Sequence, residues 1–225
     1  MRSYAQESIV TVLVGSDLQA FSVPEGLLKA ASGYFSNALS GDWHEAKTRT
    51  FELPEENVAV FQLFVHYLYH GVIKFNRGAI DVENFLIEAW LFSERRGAVR
   101  FQNAVISALV PRAYTISLNL AARVFAESLP NSRMRQFVVD KWVYEGREYN
   151  ADLADMFEGD VEEGEFQQKP ALEFALEAIK GLLKTRPQPP HSLAGVVERY
   201  LEPVETQDND YDSDVTESHG FSLFD

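Results

Sequence analysis

Hydrophobic and polar positions alternate differently in successive parts of the chain. Ile9-Val10-Thr11-Val12-Leu13-Val14 is rich in β-branched residues, and Gly15-Ser16-Asp17 follows with turn chemistry. The opening therefore predicts a strand, a turn and a partner strand from Leu18 to Val23. Pro24 suits the first turn of a helix, where its missing N–H costs no hydrogen bond. Gly26 to Ala31 then predicts a short helix, and Ser32 is placed to cap another from Gly33 to Leu39, stopped by Gly41. Thr50-Phe51-Glu52-Leu53 predicts a third strand, closed by Pro54. From Val58 to His70, the residues Val58, Phe61, Leu63, Phe64, Val65 and Leu68 recur at helical spacing until Gly71. Val72 to Phe75 predicts a brief strand. Asp81 then caps a helix through Phe92, with Phe85, Ala89 and Phe92 on one stripe. Phe101 to Leu109 gives the next helix, and Pro111 breaks the series.

Beyond Pro111 the periodicity is helical. Leu118, Ala122, Phe125 and Leu129 share one face; Ser132 opens a helix with Met134, Phe137, Val138 and Trp142; Pro170 starts one with Leu172, Leu176, Ile179 and Leu183 in register. Arg186-Pro187-Gln188-Pro189-Pro190 reads as a linker. Leu193 to Leu201 predicts one short amphipathic helix, after which Asp, Glu, Asn and Ser dominate and a disordered tail is expected.

Eight stretches in order resemble a BTB/POZ domain of the type common in filamentous fungi. They are 9–15, 21–28 and 31–35, then Trp43-His44-Glu45-Ala46, Phe51-Glu52-Leu53-Pro54, Phe61, Tyr67-Leu68-Tyr69-His70-Gly71 and Glu94-Arg95-Arg96-Gly97-Ala98 through Leu109. The resemblance covers about residues 5–110 and implies an α+β fold, a small mixed sheet flanked by a cluster of helices. It is followed by an all-helical extension over 111–185 and a linker and acidic tail over 186–225. Three departures stand out. Ile9 and Pro24 fall near places where many members carry Asp and His, and fewer than ten residues precede the first strand, too few for a swapped N-terminal helix. Between His70 and Gly78 there is no acid, whereas cullin-binding members often carry a hydrophobic-x-acidic triplet there.

Composition narrows the chemistry. The 225 residues are 46% hydrophobic, enough for a core. No cysteine is present, which removes disulfides, thiolate-held zinc and thiol nucleophiles. With no Asn-X-Ser/Thr site and no apolar run long enough for a signal core or a bilayer span, a cytoplasmic or nuclear protein without membrane contact is expected. The net charge of −14 is local: seven acids lie in 152–165 and eight in 201–225, leaving 19 acidic against 20 basic residues elsewhere. A balanced remainder does not suit nucleic acid.

Candidate sites for chemistry fail one by one. His66 and His70 stand four apart on a helix, a metal-chelating spacing, but Tyr67 occupies the place of the zincin glutamate, and packing explains both histidines. The run Asp208, Asp210, Asp212, Asp214 lacks the glycine and glutamate of a calcium loop in either register. Glu162, Glu163 and Glu165 have no pocket-forming companions, and Arg95, Arg96 and Arg100 read as a solvated helix end. The expectation is a non-enzymatic interaction protein with no cofactor and no metal. The resemblance implies that it self-associates, as a homodimer, and recruits other proteins. It serves either as adaptor to a cullin scaffold or as a scaffold or transcriptional co-regulator. Leu27, Leu28, Tyr34, Phe35, Phe64 and Tyr67 are the expected interface residues, shared with the core, and Phe221, Leu223 and Phe224 the expected docking residues of the tail.

Overall fold

A computed structural model describes residues 8–75, 81–111, 116–148, 168–183 and 193–204. Strand β1 (Ile9–Val14) lies between β2 (Gln19–Pro24), its antiparallel neighbour, and β3 (Thr50–Leu53), which runs parallel. Register places Val12 opposite both Phe21 and Phe51, and Val10 opposite Val23. Because side chains alternate along a strand, Val10, Val12, Val14, Val23 and Phe51 all enter the core from one face. The mixed sheet and its helices agree with the α+β expectation.

That face is roofed by helices α1 (Glu25–Ala31), α2 (Gly33–Ser40), α3 (His44–Thr48), α4 (Val58–His70), α5 (Val82–Arg95) and α6 (Val99–Leu109). Their joint is aromatic. Phe61 meets Phe21 edge-on at 5.0 Å, and Phe64 contacts Phe92 at 5.5 Å and Phe101 at 5.2 Å. Such pairs add to plain area burial because ring edges are positive and faces negative. Helix starts follow side-chain chemistry: Ser32, Asn57, Asp81 and Ser117 each accept a hydrogen bond from a first-turn amide. Each such cap is worth about 1 kcal/mol.

Beyond α6, helices α7 (Leu118–Glu127), α8 (Arg133–Glu148) and α9 (Gln168–Leu183) and a 3-10 helix (Leu193–Tyr200) pack together and back onto α5 and α6. Phe174 of α9 lies 5.4 Å from Phe125 and 5.1 Å from Trp142, and Phe137 meets Tyr200 at 5.2 Å. Polar ties cross the junction: Arg123 donates to Asn84 at 3.0 Å, the Leu129 amide to Glu94 at 3.0 Å, and Asn103 grips both backbone groups of Glu202. Among the described residues no helix is long and apolar enough to cross a membrane.

Three expectations need correction, and one short helix has no counterpart among them. Val72 to Phe75 forms no strand; Ile73 and Phe75 pack on the core instead, Phe75 against Phe85. Helix α3 had no sequence signal, being only five residues long. Leu129 falls past the end of α7 and is exposed rather than sharing its buried face. On α9 the stripe containing Leu176 and Ile179 points outward, while Phe174, Ala178 and Gly181 point inward. The reason is close approach: a methyl at Gly181 would stand 2.6 Å from Val143 Cγ2, so only the glycine face lets α8 and α9 meet. The acidic stretch 152–165, the linker 186–190 and the tail beyond 204 lie outside the described residues.

Glu94 sits where the extension meets α5, and its ionisation opposes folding. Burial pushes its carboxyl above the ordinary range and Glu202 adds to this, opposed by the Leu129 amide, the Ser132 hydroxyl and Arg135. A carboxyl whose folded pKa is raised costs stability once ionised, so the penalty is absent at low pH and grows as pH rises through the raised value. Glu94→Gln should therefore unfold at higher temperature than the parent at neutral pH. The difference should vanish below about pH 4, where the unfolded chain also holds the proton, as followed by thermal circular dichroism.

Candidate protein-interaction surface

Residues 26–40 contain one charge, Lys29, in a chain that is 24% charged. They build the α1–α2 pair, and Ser32 makes the corner between them. Its extended backbone (φ −145°, ψ 123°) ends α1, and its Oγ accepts from the Phe35 amide to start α2. The outward positions are Gly26, Ala30, Gly33, Asn37 and Ser40, with Leu27, Tyr34 and Ala38 half-buried between them. At the foot of the pair Glu25 takes up the nearby cations, 2.7 Å from Arg49 and 3.8 Å from Lys29. A face this poor in charge loses little hydration on being covered, as interface centres require.

The back of the corner is pinned to the turn between α5 and α6. Ser32 Oγ donates to Arg96 O at 2.6 Å, the Tyr34 amide to the same oxygen at 3.2 Å, and the Gly33 amide to Gly97 O at 3.1 Å. Gly97 adopts φ 58°, the left-handed region in which a Cβ is strained. The turn itself is held from below by Glu56, only 5% exposed, whose two oxygens accept from Arg95 at 2.9 Å and Arg96 at 2.7 Å. The Arg96 guanidinium also covers the Tyr34 ring at 4.5 Å, an attraction between cation and ring face.

This arrangement corrects the reading of the arginine cluster. Arg95 and Arg96 are the counter-ions of a buried carboxylate, and only Arg100 has the character of a solvated helix end. Glu56 was missed because its partners lie 39 and 40 positions away, beyond any local pattern. The charge-poor run 26–40 was also missed, although it is visible in the sequence.

The six expected interface residues separate. Leu28, Phe35 and Phe64 are fully enclosed, so none of their apolar surface is left for a partner; Leu27, Tyr34 and Tyr67 keep part of theirs outside. Tyr34 and Phe35 gather at Phe51, whereas Phe64 and Tyr67 gather at Phe101. Tyr67 donates its hydroxyl to Arg100 O, and burial pushes its pKa up. Phe221, Leu223 and Phe224 lie outside the described residues. The rings of His66 and His70 stack at 4.3 Å, with His70 Nδ1 2.9 Å from His66 O. Among the described residues no group of three His, Asp or Glu is clustered to hold a metal. Trp43, 66% exposed, is the largest apolar side chain left outside among them.

A family model described as BTB/POZ domain matches residues 2–98. These residues form a BTB/POZ domain. The match spans the three strands, helices α1 to α5 and the Arg96–Gly97 turn, so the pinned α1–α2 pair belongs to it. BTB domains mediate protein–protein contacts, often dimerisation, and the BTB part of this chain is accordingly a protein-interaction module. No curated protein matches the chain.

Removing the charge at the centre of the clamp tests its weight. Glu56→Gln leaves Arg96 beside Tyr34 without its anion, which should cost about 3 kcal/mol by analogy with other broken buried pairs. Urea denaturation of the full chain measures it, and a loss below about 0.5 kcal/mol would show that the pair is not structural.

Proposed function

We propose that the chain self-associates as a homodimer through the outward face of α1–α2 and presents its helical extension to further proteins. What supports this reading is the charge depletion of the face: from residue 26 to 40 the only ionic group is Lys29. Ala30 and Gly26 let a partner helix come close, while half-buried Leu27 and Tyr34 supply apolar contact. A two-fold pairing uses the same patch twice, so one favourable patch suffices. In this reading Phe221, Leu223 and Phe224 give a second partner its apolar anchors; their support is sequence alone.

Introducing one bulky charge decides it. Ala30 is exposed, so Ala30→Arg should leave the fold intact and place a cation in the middle of the pairing face. The parent should sediment as a dimer and the variant as a monomer at the same micromolar concentration. A variant that stays dimeric, or a parent that is monomeric throughout, sinks the proposal.

Adaptor to a cullin scaffold is the narrower of the two roles. Exposed Tyr69 and Val72 at the end of α4 favour a contact there, and the acid-free stretch from His70 to Gly78 weighs against a cullin as its partner. We place the scaffold role first. Co-precipitation from the native source with a cullin probe distinguishes them: recovery of a cullin at low salt assigns the adaptor role, and its absence assigns the scaffold.

A further inference from the structure

Helix α9 has two apolar faces, and the fold uses one. Phe174, Ala178 and Gly181 meet α7 and α8, while Leu176 and Ile179 on the opposite side are 48% and 50% exposed. In the sequence, Leu172 and Leu183 continue that spacing to four, three, four, the period of a coiled-coil seam. The flank of the stripe carries Glu173 toward the start and Lys180 seven positions later, both well exposed (47% and 61%).

We propose that this stripe is a second self-association surface, on which α9 of another copy lies antiparallel. The charge order selects both occupant and direction. When two identical α9 helices run in opposite senses, Leu176 of each layers with Ile179 of the other, and position 172 of each stands level with position 183 of the other. Glu173 of each copy then faces Lys180 of the other, and the two-fold axis makes the pair twice. In a parallel arrangement the same two positions would face Gln168 and Ala175, and neither charge would find its opposite across the seam. Within one chain Glu173 is 3.8 Å from Arg135, and Lys180 donates to Glu177 at 2.7 Å, an exposed pair of the kind worth at most about 1 kcal/mol. The helix is about 24 Å long, and a contact one helix wide buries less than the roughly 1,200 Å² of a stand-alone complex. It is therefore weak by itself and acts together with another contact. Joined with the α1–α2 pairing proposed above, two distinct two-fold contacts link copies into a closed ring or an extended row.

The test needs only the full chain in solution. Ala30→Arg silences the α1–α2 face, and in that background the seam should show as association that sets in only at high concentration. Glu173→Lys and Lys180→Glu are each added to it and sedimented alone and in equimolar mixture. Either exchange alone brings like charges together twice and should weaken association roughly tenfold. In the mixture the lysine introduced at position 173 meets the glutamate introduced at position 180, and the native lysine and glutamate meet at the other end, so association should return. Leu176→Glu should abolish it in every combination. An Ala30→Arg chain that remains monomeric at the highest concentration reached overturns the proposal, as does equal association of that chain, the two charge exchanges and their mixture. Failure of the α1–α2 reading shows separately, as an Ala30→Arg chain whose mass equals that of the unsubstituted one at every concentration.

Discussion

A single carboxylate, Glu56, joins three segments that are far apart in sequence. It follows β3, so it carries the position of the sheet; it holds Arg95 and Arg96, so it fixes the turn between α5 and α6; and that turn receives the amides and hydroxyl of the α1–α2 corner. Two cations share the desolvation of one buried anion, and Arg96 in turn lies on Tyr34. A buried ion pair adds little net stability compared with apolar packing, but breaking one leaves an uncompensated charge. The geometry of the proposed pairing face thus depends on a contact located behind it.

The helical extension is assembled by the same kind of packing. Phe174, Phe125 and Trp142 continue the aromatic contacts of the first domain, and Tyr200 closes the extension against Phe137 with its hydroxyl on Asp140. Burial, with the Asp140 charge, pushes the Tyr200 hydroxyl above its ordinary range. Gly181 is what allows α9 to sit this close, and its choice of inward face is what leaves Leu176 outside. Phe174 and Ala178 complete the stripe that becomes core, and at Gly181 the approach of α8 leaves no room for a side chain.

Much of the fold is legible in the sequence alone. The strands around Val12, the caps at Ser32 and Asp81, and the helix ending at Gly71 follow from local periodicity and side-chain chemistry, and the structure agrees. The ordered BTB stretches likewise agree with the family match. Local pattern fails where a tertiary partner decides the outcome. Ile73 and Phe75 have the character of strand residues, but both pack half-buried on the core, Phe75 against Phe85 of α5; the leucine stripe of α9 has the character of core, but glycine gives the closer fit. The pairing of Glu56 with Arg95 and Arg96 leaves no local trace. For the six expected interface residues, sequence identifies apolar character but not which side of the helix it faces.

Asn103 ties down the chain where it leaves the extension. Its amide holds Glu202 by both N–H and C=O, at 2.7 and 2.8 Å, alongside α6. In the docking role proposed for Phe221, Leu223 and Phe224, a partner of the tail would be held on a tether that starts beside α6, next to the BTB domain. For a ligand that also touches that domain, the anchor raises local concentration and turns two weak grips into one firm one.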